Sequence, residues 1–283
     1  MAVTTVSDLN GLFNTIYERA LFVAREVNLM TNLVDVRGAA GWMDRNISTR
    51  PAVSAVSVGE SQDYNSPTTF GKSTKATLTP DEIIAQATLT DRDMETDPDG
   101  AQADAETELG GAIATKIDVD LLADFGSFTT DKGDGAGNAF TLDNWAAGIA
   151  VLGNNKAMQY GMPVSVLHPY HWHDLWLELG KPTTNVVASD IANEALRNYR
   201  VNVINNVQIY TSANIAVDAS DDAVSAAFVR PALMLDVRRD MRMEPERDAS
   251  ARAWELNMTA GYAHGVARNE FGVKYTADAT EPA

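Results

Sequence analysis

Apolar residues recur at helical spacing most persistently between Asp97 and Phe125, where Leu109, Ile113, Ile117 and Leu121 fall every fourth residue. Ala105, Ala112, Leu122 and Phe125 widen that stripe. Asp97 followed by Pro98 reads as an N-cap and a first helical position, and Asp99, Asp104, Glu106 and Glu108 suit the positive end of a helix dipole. At ~1.5 Å per residue the spacing predicts a helix of roughly 40 Å. Its stripe drifts around the rod, because a fourfold repeat exceeds the helical period. Gly110-Gly111 costs about 2 kcal/mol against two alanines, which predicts a kink or a close backbone contact there. An acidic helix of this length needs a sheet or a partner chain over its stripe.

The rest of the chain is patterned around that helix. Leu9, Leu12, Phe13, Ile16, Ala20, Val23, Ala24 and Val27 form one face of an N-terminal helix, either core or an arm that docks on a neighbour. Residues 46–80 are rich in Thr, Val and Ser around the turn-rich GESQDYNSPTTFGKST, which predicts a long two-stranded excursion with a wide tip. Its apolar content is too low for a private core, so it is either a disordered surface loop or a β-arm ordered by another subunit. Ile83–Leu89 reads as a strand feeding the long helix. Residues 127–138 read as a Gly/Asp/Thr loop, 141–159 as a helix, 163–167 as a buried strand, and 170–179 and 190–198 as helices. Two strand-like pieces flank Asn205-Asn206, so 140–235 reads as an α/β unit. The last stretch alternates with period two: Met241 and Met243, then Trp254, Leu256 and Met258, then Val273 and Tyr275 point to one buried sheet face. Arginines 230, 238, 239, 242, 247 and 252 interleave with Asp236, Asp240, Glu244, Glu246 and Asp248, as on a solvated face or at a subunit boundary where charge sets register.

Composition narrows the function classes. The 283 residues are 45% hydrophobic, enough for a real core, and carry a net charge of −17. Residues 91–124 hold eleven acids and two bases, so −9 of the total lies in that one segment. Such a surface disfavours non-specific binding to nucleic acid or anionic lipid. No cysteine is present, which removes disulfides, thiolate nucleophiles and cysteine metal sites and fits a reducing cytosol. The N-terminus lacks a signal-peptide pattern, and no run of about 18 apolar residues predicts a membrane span.

Candidate chemistry is sparse. His168, His171 and His173 lie close in sequence, but helical positions 171 and 173 point about 200° apart and cannot share an ion. The run Asp131–Asn138 lacks the EF-hand oxygens at positions three and five and the Glu at twelve, so it reads as a flexible turn. There is no nucleophile elbow, no Walker lysine and no dinucleotide fingerprint. Asp91 and Asp93 sit in a charge run rather than an apolar pocket. No catalytic residue, cofactor site or metal site is expected.

The ordered set of features resembles the HK97-fold major capsid proteins of tailed bacteriophages. The step from ATLTPDEIIAQATLTDRDME into ELGGAIATKIDVDLLADF is the most specific part, and the closing GYAHGVARNEFGVKYTAD continues the match. The resemblance implies an α+β fold with an N-arm (1–45), an extended β-hairpin E-loop (46–80), a P-domain strand and spine helix (81–137), an α/β A-domain (138–235) and a P-domain sheet (236–283). It implies a virion protein, assembled in the host cytoplasm, that forms hexamers and pentamers of an icosahedral head around double-stranded DNA, with no sequence-specific DNA contact and no membrane. A separate scaffolding protein, a portal and a decoration protein are the partners it suggests. Tyr64, Phe70, Lys72 and Lys75 on the E-loop are the expected interface residues. Arg238, Arg239, Arg242, Glu244 and Arg247 on the closing strands are expected to join them. Lys72 and Lys75 lie where some relatives form a covalent crosslink, but the acceptor asparagine and assisting glutamate have no match here. The alternatives are an encapsulin-type compartment shell and an enzyme built on the 140–235 unit.

Overall fold

The computed structural model describes residues 28–39, 41–96, 100–180, 203–204 and 206–282. The expected N-terminal helix face, the Asp97 cap and the expected 190–198 helix lie outside the described residues. The described residues open with helix α1 (Met30–Leu33) and strands β1 (Asp35–Gly38), β2 (Arg45–Thr49), β3 (Ser73–Leu78) and β4 (Asp81–Thr90). Helices α2 (Asp91–Thr96), α3 (Ala101–Ala123) and α4 (Leu142–Asn154) follow, then strand β5 (Val164–Leu167) and helix α5 (Pro169–Gly180). The remaining strands are β6 (Val203–Ile204), β7 (Val207–Thr211), β8 (Asp222–Phe228), β9 (Leu233–Asp248), β10 (Ala253–Val266) and β11 (Gly272–Asp278).

Contacts divide the described chain into two units. The first holds Glu82–Ile117 and Asp240–Ala260. In it the outer halves of β9 and β10 lie side by side with β4 next to β10. Their connection is tied by Asp248, whose Oδ1 accepts from Ser250 N (2.8 Å), Ser250 Oγ (2.7 Å) and Ala251 N (3.1 Å). Arg252 takes a left-handed φ of 53°, and its carbonyl accepts from Asp91 N (3.0 Å). The acidic run is split between two helices. Thr90 caps α2 by accepting from Asp93 N (3.2 Å), and a turn at Gly100 separates α2 from α3. The expected kink or contact at the double glycine is corrected in part: α3 runs through Gly110-Gly111 unbroken, and a Cβ on Gly110 would meet nothing within 4 Å. Burial of Leu109 and Ile113 on either side outweighs the roughly 2 kcal/mol of lost propensity. The expected buried face of the hairpin is also only partial. Leu256 is buried, but Met241 is 51% and Trp254 37% exposed.

The second unit holds Leu29–Asp81, Asp118–Arg239 and Gly261–Ala283. Its five-stranded sheet runs β11-β8-β5-β7-β6, with β5 parallel to β7 and the other pairs antiparallel. The reading that grouped 236–283 into one closing sheet is corrected here: β11 pairs with β8 along its whole length, Gly272↔Phe228 to Asp278↔Asp222. The reason lies in its alternation, which places Val273, Tyr275 and Ala277 in the core of this unit. Tyr275 donates to the Trp145 carbonyl (3.1 Å) and fills the space beside Gly148, where any Cβ would collide with its phenol. Helix α4 begins where expected: Thr141 Oγ1 accepts from Asn144 N (3.3 Å), and Glu178 accepts from Leu142 N (2.7 Å). The loop after Phe125 is no flexible turn. Asp131 accepts from Thr276 N and Oγ1 (3.2 and 2.7 Å), and Gly133 lies against the Thr276 backbone, where a Cβ would fall 2.0 Å from the carbonyl oxygen. A second sheet contact of this unit is β1, which runs parallel to the start of β9 from Asp35↔Met234 to Gly38↔Val237.

Candidate functional site

Strands β2 and β3 form an antiparallel hairpin from Arg45↔Leu78 to Thr49↔Ser73, with an irregularity at Ile47/Ser48. At its base Ile47 packs on Leu78, Met234, Ala263 and Ala267. Beyond it, residues 50–72 are exposed throughout and pair with no strand of the described chain. Two local contacts organise them. The Arg50 guanidinium stacks 5.1 Å from the Phe70 ring centroid, and Gln62 closes a turn by donating N–H to the Gly59 carbonyl (3.2 Å) while its Oε1 accepts from Gly59 N (3.3 Å). Val53, Val56, Val58, Tyr64 and Phe70 all face solvent, with Val53 66% and Phe70 55% exposed. Apolar side chains on an arm with no layer beneath them are what a partner surface would cover. Lys75 is an exposed residue of β3, and Lys72 lines a cavity at the foot of the arm.

The foot is fixed by one carboxylate. Asp236, fully buried on β9, accepts from Arg45 Nε (2.7 Å) and Nη2 (2.8 Å) and pairs with Arg238 Nη2 (2.7 Å). The Arg238 side chain is only 5% exposed and also donates to the Gly41 carbonyl (3.2 Å). Arg239 stacks over Trp42 at 5.2 Å, and Trp42 packs where a Cβ on Gly261 would stand 2.5 Å from its ring. Arg238 and Arg239 therefore already have partners inside the subunit. The period-two geometry of the strand explains the first, since residues 236 and 238 share a face.

In the first unit, Arg247 grips Asp91 through Nη1 and Nη2 (2.5 and 2.7 Å) and lies 5.4 Å from the Trp254 ring centroid. The hydrogen bonds from Arg247 hold the Asp91 carboxyl below the usual carboxylate range, against a smaller opposing effect of desolvation. Arg242 pairs with Glu244 at 2.7 Å, and both remain more than half exposed. That pair is the part of the arginine-acid run most available to another subunit.

Sequence reasoning missed the buried carboxylates. Asp118 on α3 is fully buried and accepts from Leu29 N (3.0 Å), Met30 N (2.8 Å) and Asn214 Nδ2 (3.1 Å), so it caps α1 across 88 residues of chain. Its position three and four residues before Leu121 and Leu122, on the apolar stripe, was the available signal. Asp236 had a similar one, lying directly after Leu233-Met234-Leu235.

The remaining candidates for chemistry are structural. His171 Nδ1 meets Ser225 Oγ at 2.7 Å and Nε2 meets the Ala277 carbonyl at 3.2 Å, but both side chains are fully buried and no substrate reaches the serine. Burial lowers the His171 pKa to about 4. With both ring nitrogens engaged, His171 has no lone pair to offer a metal. Among the described residues no cluster of three His, Cys, Asp or Glu groups could hold a metal ion, and no helix is long and apolar enough to cross a membrane.

This architecture is shared with solved capsids. The chain superposes on a structure from Mycobacterium phage Che8 with a TM-score of 0.71 at 17% identity, over 90% of this chain and 94% of that one. The asymmetric unit of the bacteriophage PhiM1 mature capsid matches with a TM-score of 0.69 at 16% identity, over 92% and 90%. The capsid of a native GTA particle matches with a TM-score of 0.71 at 10% identity, over 91% and 92%. No curated protein matches the sequence. The fold is thus the HK97-type shell fold. The model of the phage capsid protein family covers residues 75–275, well over half of the chain, and the chain belongs to that family. It is a phage capsid protein.

Proposed function

We propose that this capsid protein assembles through hexamers and pentamers, and that the 50–72 arm and the outer β9–β10 hairpin are the surfaces through which copies meet. The observation that carries the reading is the arm itself: 23 residues, all exposed, with five large apolar side chains and no core of their own. On the hairpin, exposed Met241, Trp254 and the Arg242–Glu244 pair supply the apolar patch and polar rim of an interface. Tyr64, Phe70, Lys72, Lys75, Arg242, Glu244 and Arg247 are its contact residues, and Arg238 and Arg239 position the foot of the arm.

The head encloses double-stranded DNA, read by no base-specific contact, and the acidic α3 segment faces the genome. The family match favours this over an encapsulin-type compartment, and over an enzyme. Assembly takes place in the host cytoplasm with a separate scaffolding protein, and the finished shell receives a portal and a decoration protein. Sedimentation velocity over a hundredfold concentration range, followed by nuclease treatment of particles from infected cells, tests the reading. Shells with a sharp concentration threshold and nuclease-protected DNA are expected. A concentration-independent monomer, or shells filled with protein cargo, would replace it.

A further inference from the structure

We infer that the cavity at the foot of the 50–72 arm receives the acidic tip of the same arm from a second copy of this chain. The inference rests on the capsid reading and deepens it by naming which surfaces meet. The cavity has a volume of about 370 Å³, in the size class that accepts a few side chains or a small ligand. Arg37, Arg45, Lys72 and Arg268 line it with one lining carboxylate, Asp35; with Asp236 bound to Arg45 from behind, four cations face two acids in a chain whose net charge is −17.

These cations are held ready for an incoming anion. Arg37 binds Asp35 with Nε and Nη2, both on Oδ2 (3.0 and 2.8 Å), which leaves Nη1 to donate elsewhere. Arg45 is fixed by its two bonds to Asp236. Arg268 is stacked 5.4 Å from Tyr160 and 5.2 Å from Phe271, an arrangement that keeps the guanidinium edge open for in-plane carboxylate contact. Lys72, exposed and in no ion pair among the described residues, adds a further ammonium to the lining.

The complement lies at the other end of the same arm. Residues 51–71 contain two acids, Glu60 and Asp63, and no base. The Gly59–Gln62 turn, with Ser61 at a left-handed φ of 66°, presents both acids together at an exposed tip. The tip of the same copy is not among the residues lining the cavity, and each arm of about ten residues can reach up to roughly 35 Å. A tip on one copy meeting a foot on the next is a heterologous contact, which closes rings when the rotation per copy is right. One sequence then supplies both halves of a repeated contact.

The test uses full-length chain and exposed positions. Glu60→Lys with Asp63→Lys reverses the tip, and Lys72→Glu with Arg37→Glu reverses the foot. Each pair alone is expected to lower shell yield at least tenfold while circular dichroism stays that of the wild type, and the fourfold swap is expected to restore it. In wild-type shells built from mixed light and heavy nitrogen-labelled subunits, carbodiimide is expected to join Glu60 or Asp63 to Lys72 in mixed-label pairs. Wild-type yield from the tip-reversed chain overturns the inference, as does failure of the swap to rescue or linkage confined to one copy. Loss of yield on foot reversal with none on tip reversal would assign the cavity to a different anion and overturn it equally. A wild-type chain that never forms shells would remove the capsid reading itself, and this inference with it.

Discussion

His171 shows how a buried titratable side chain links the fold to pH. Its ring is neutral in the folded chain because burial holds the pKa at about 4, against an ordinary value of 6.5. A lowered histidine pKa means the unfolded chain binds the extra proton first, so stability is complete above about pH 6.5 and falls as pH drops toward 4. The full loss is on the order of 3 kcal/mol. Chemical denaturation between pH 4 and 7 is expected to show that slope in the wild type and a flatter one in His171→Gln; equal slopes would contradict it. Asp236 makes a second residue-scale case. Removing it in Asp236→Ala strands two largely buried guanidiniums, at a cost of about 3–5 kcal/mol in urea unfolding. Replacing Arg242, which is over half exposed, is expected to cost less than about 1 kcal/mol in the same assay.

At the scale of elements, the legible parts of the sequence were those whose side chains repeat with a clear period. The α3 stripe, the β4 strand, the start of the 141–159 helix and the Val273/Tyr275 alternation all read directly. The sheet that β11 joins was not legible, because alternation gives one buried face without saying which neighbour buries it. Asp236 and Asp118 were hidden for a related reason: a carboxylate in a charge run looks solvated until its long-range donors, Arg45 at 191 residues from Asp236 and Met30 at 88 from Asp118, are placed beside it. The arm 50–72 was recognisable by what it lacked, since its composition offers no core. Limited proteolysis is expected to cut between Tyr64 and Phe70 in free subunits and to spare those bonds in shells. Equal cleavage in both states would contradict the view that assembly covers the arm. The acidic helix gives a further test. Lysines at 104, 106 and 108 are expected to leave folding intact but make shells retain DNA in a salt-dependent way, within about 8 Å of the wall at physiological salt. Unchanged DNA release would place that segment away from the genome.

For the whole molecule, the enclosed core and the uncovered extensions solve different parts of one problem. The unit built on the five-stranded sheet buries its own core, with Phe125, Phe128, Phe140, Phe228 and Tyr275 all fully or almost fully enclosed. The arm and the outer hairpin do not: they leave Val53, Val56, Val58, Tyr64, Phe70, Met241 and Trp254 exposed. A chain that keeps one rigid core and leaves apolar extensions uncovered stabilises an assembly more than an isolated subunit. Reconstruction of the assembled particle by electron cryomicroscopy measures this directly. A closed icosahedral shell is expected, in which Tyr64 and Phe70 of each copy are buried on a neighbouring subunit. A shell in which that arm stays exposed to solvent, or a chain that remains monomeric at every concentration, would contradict it.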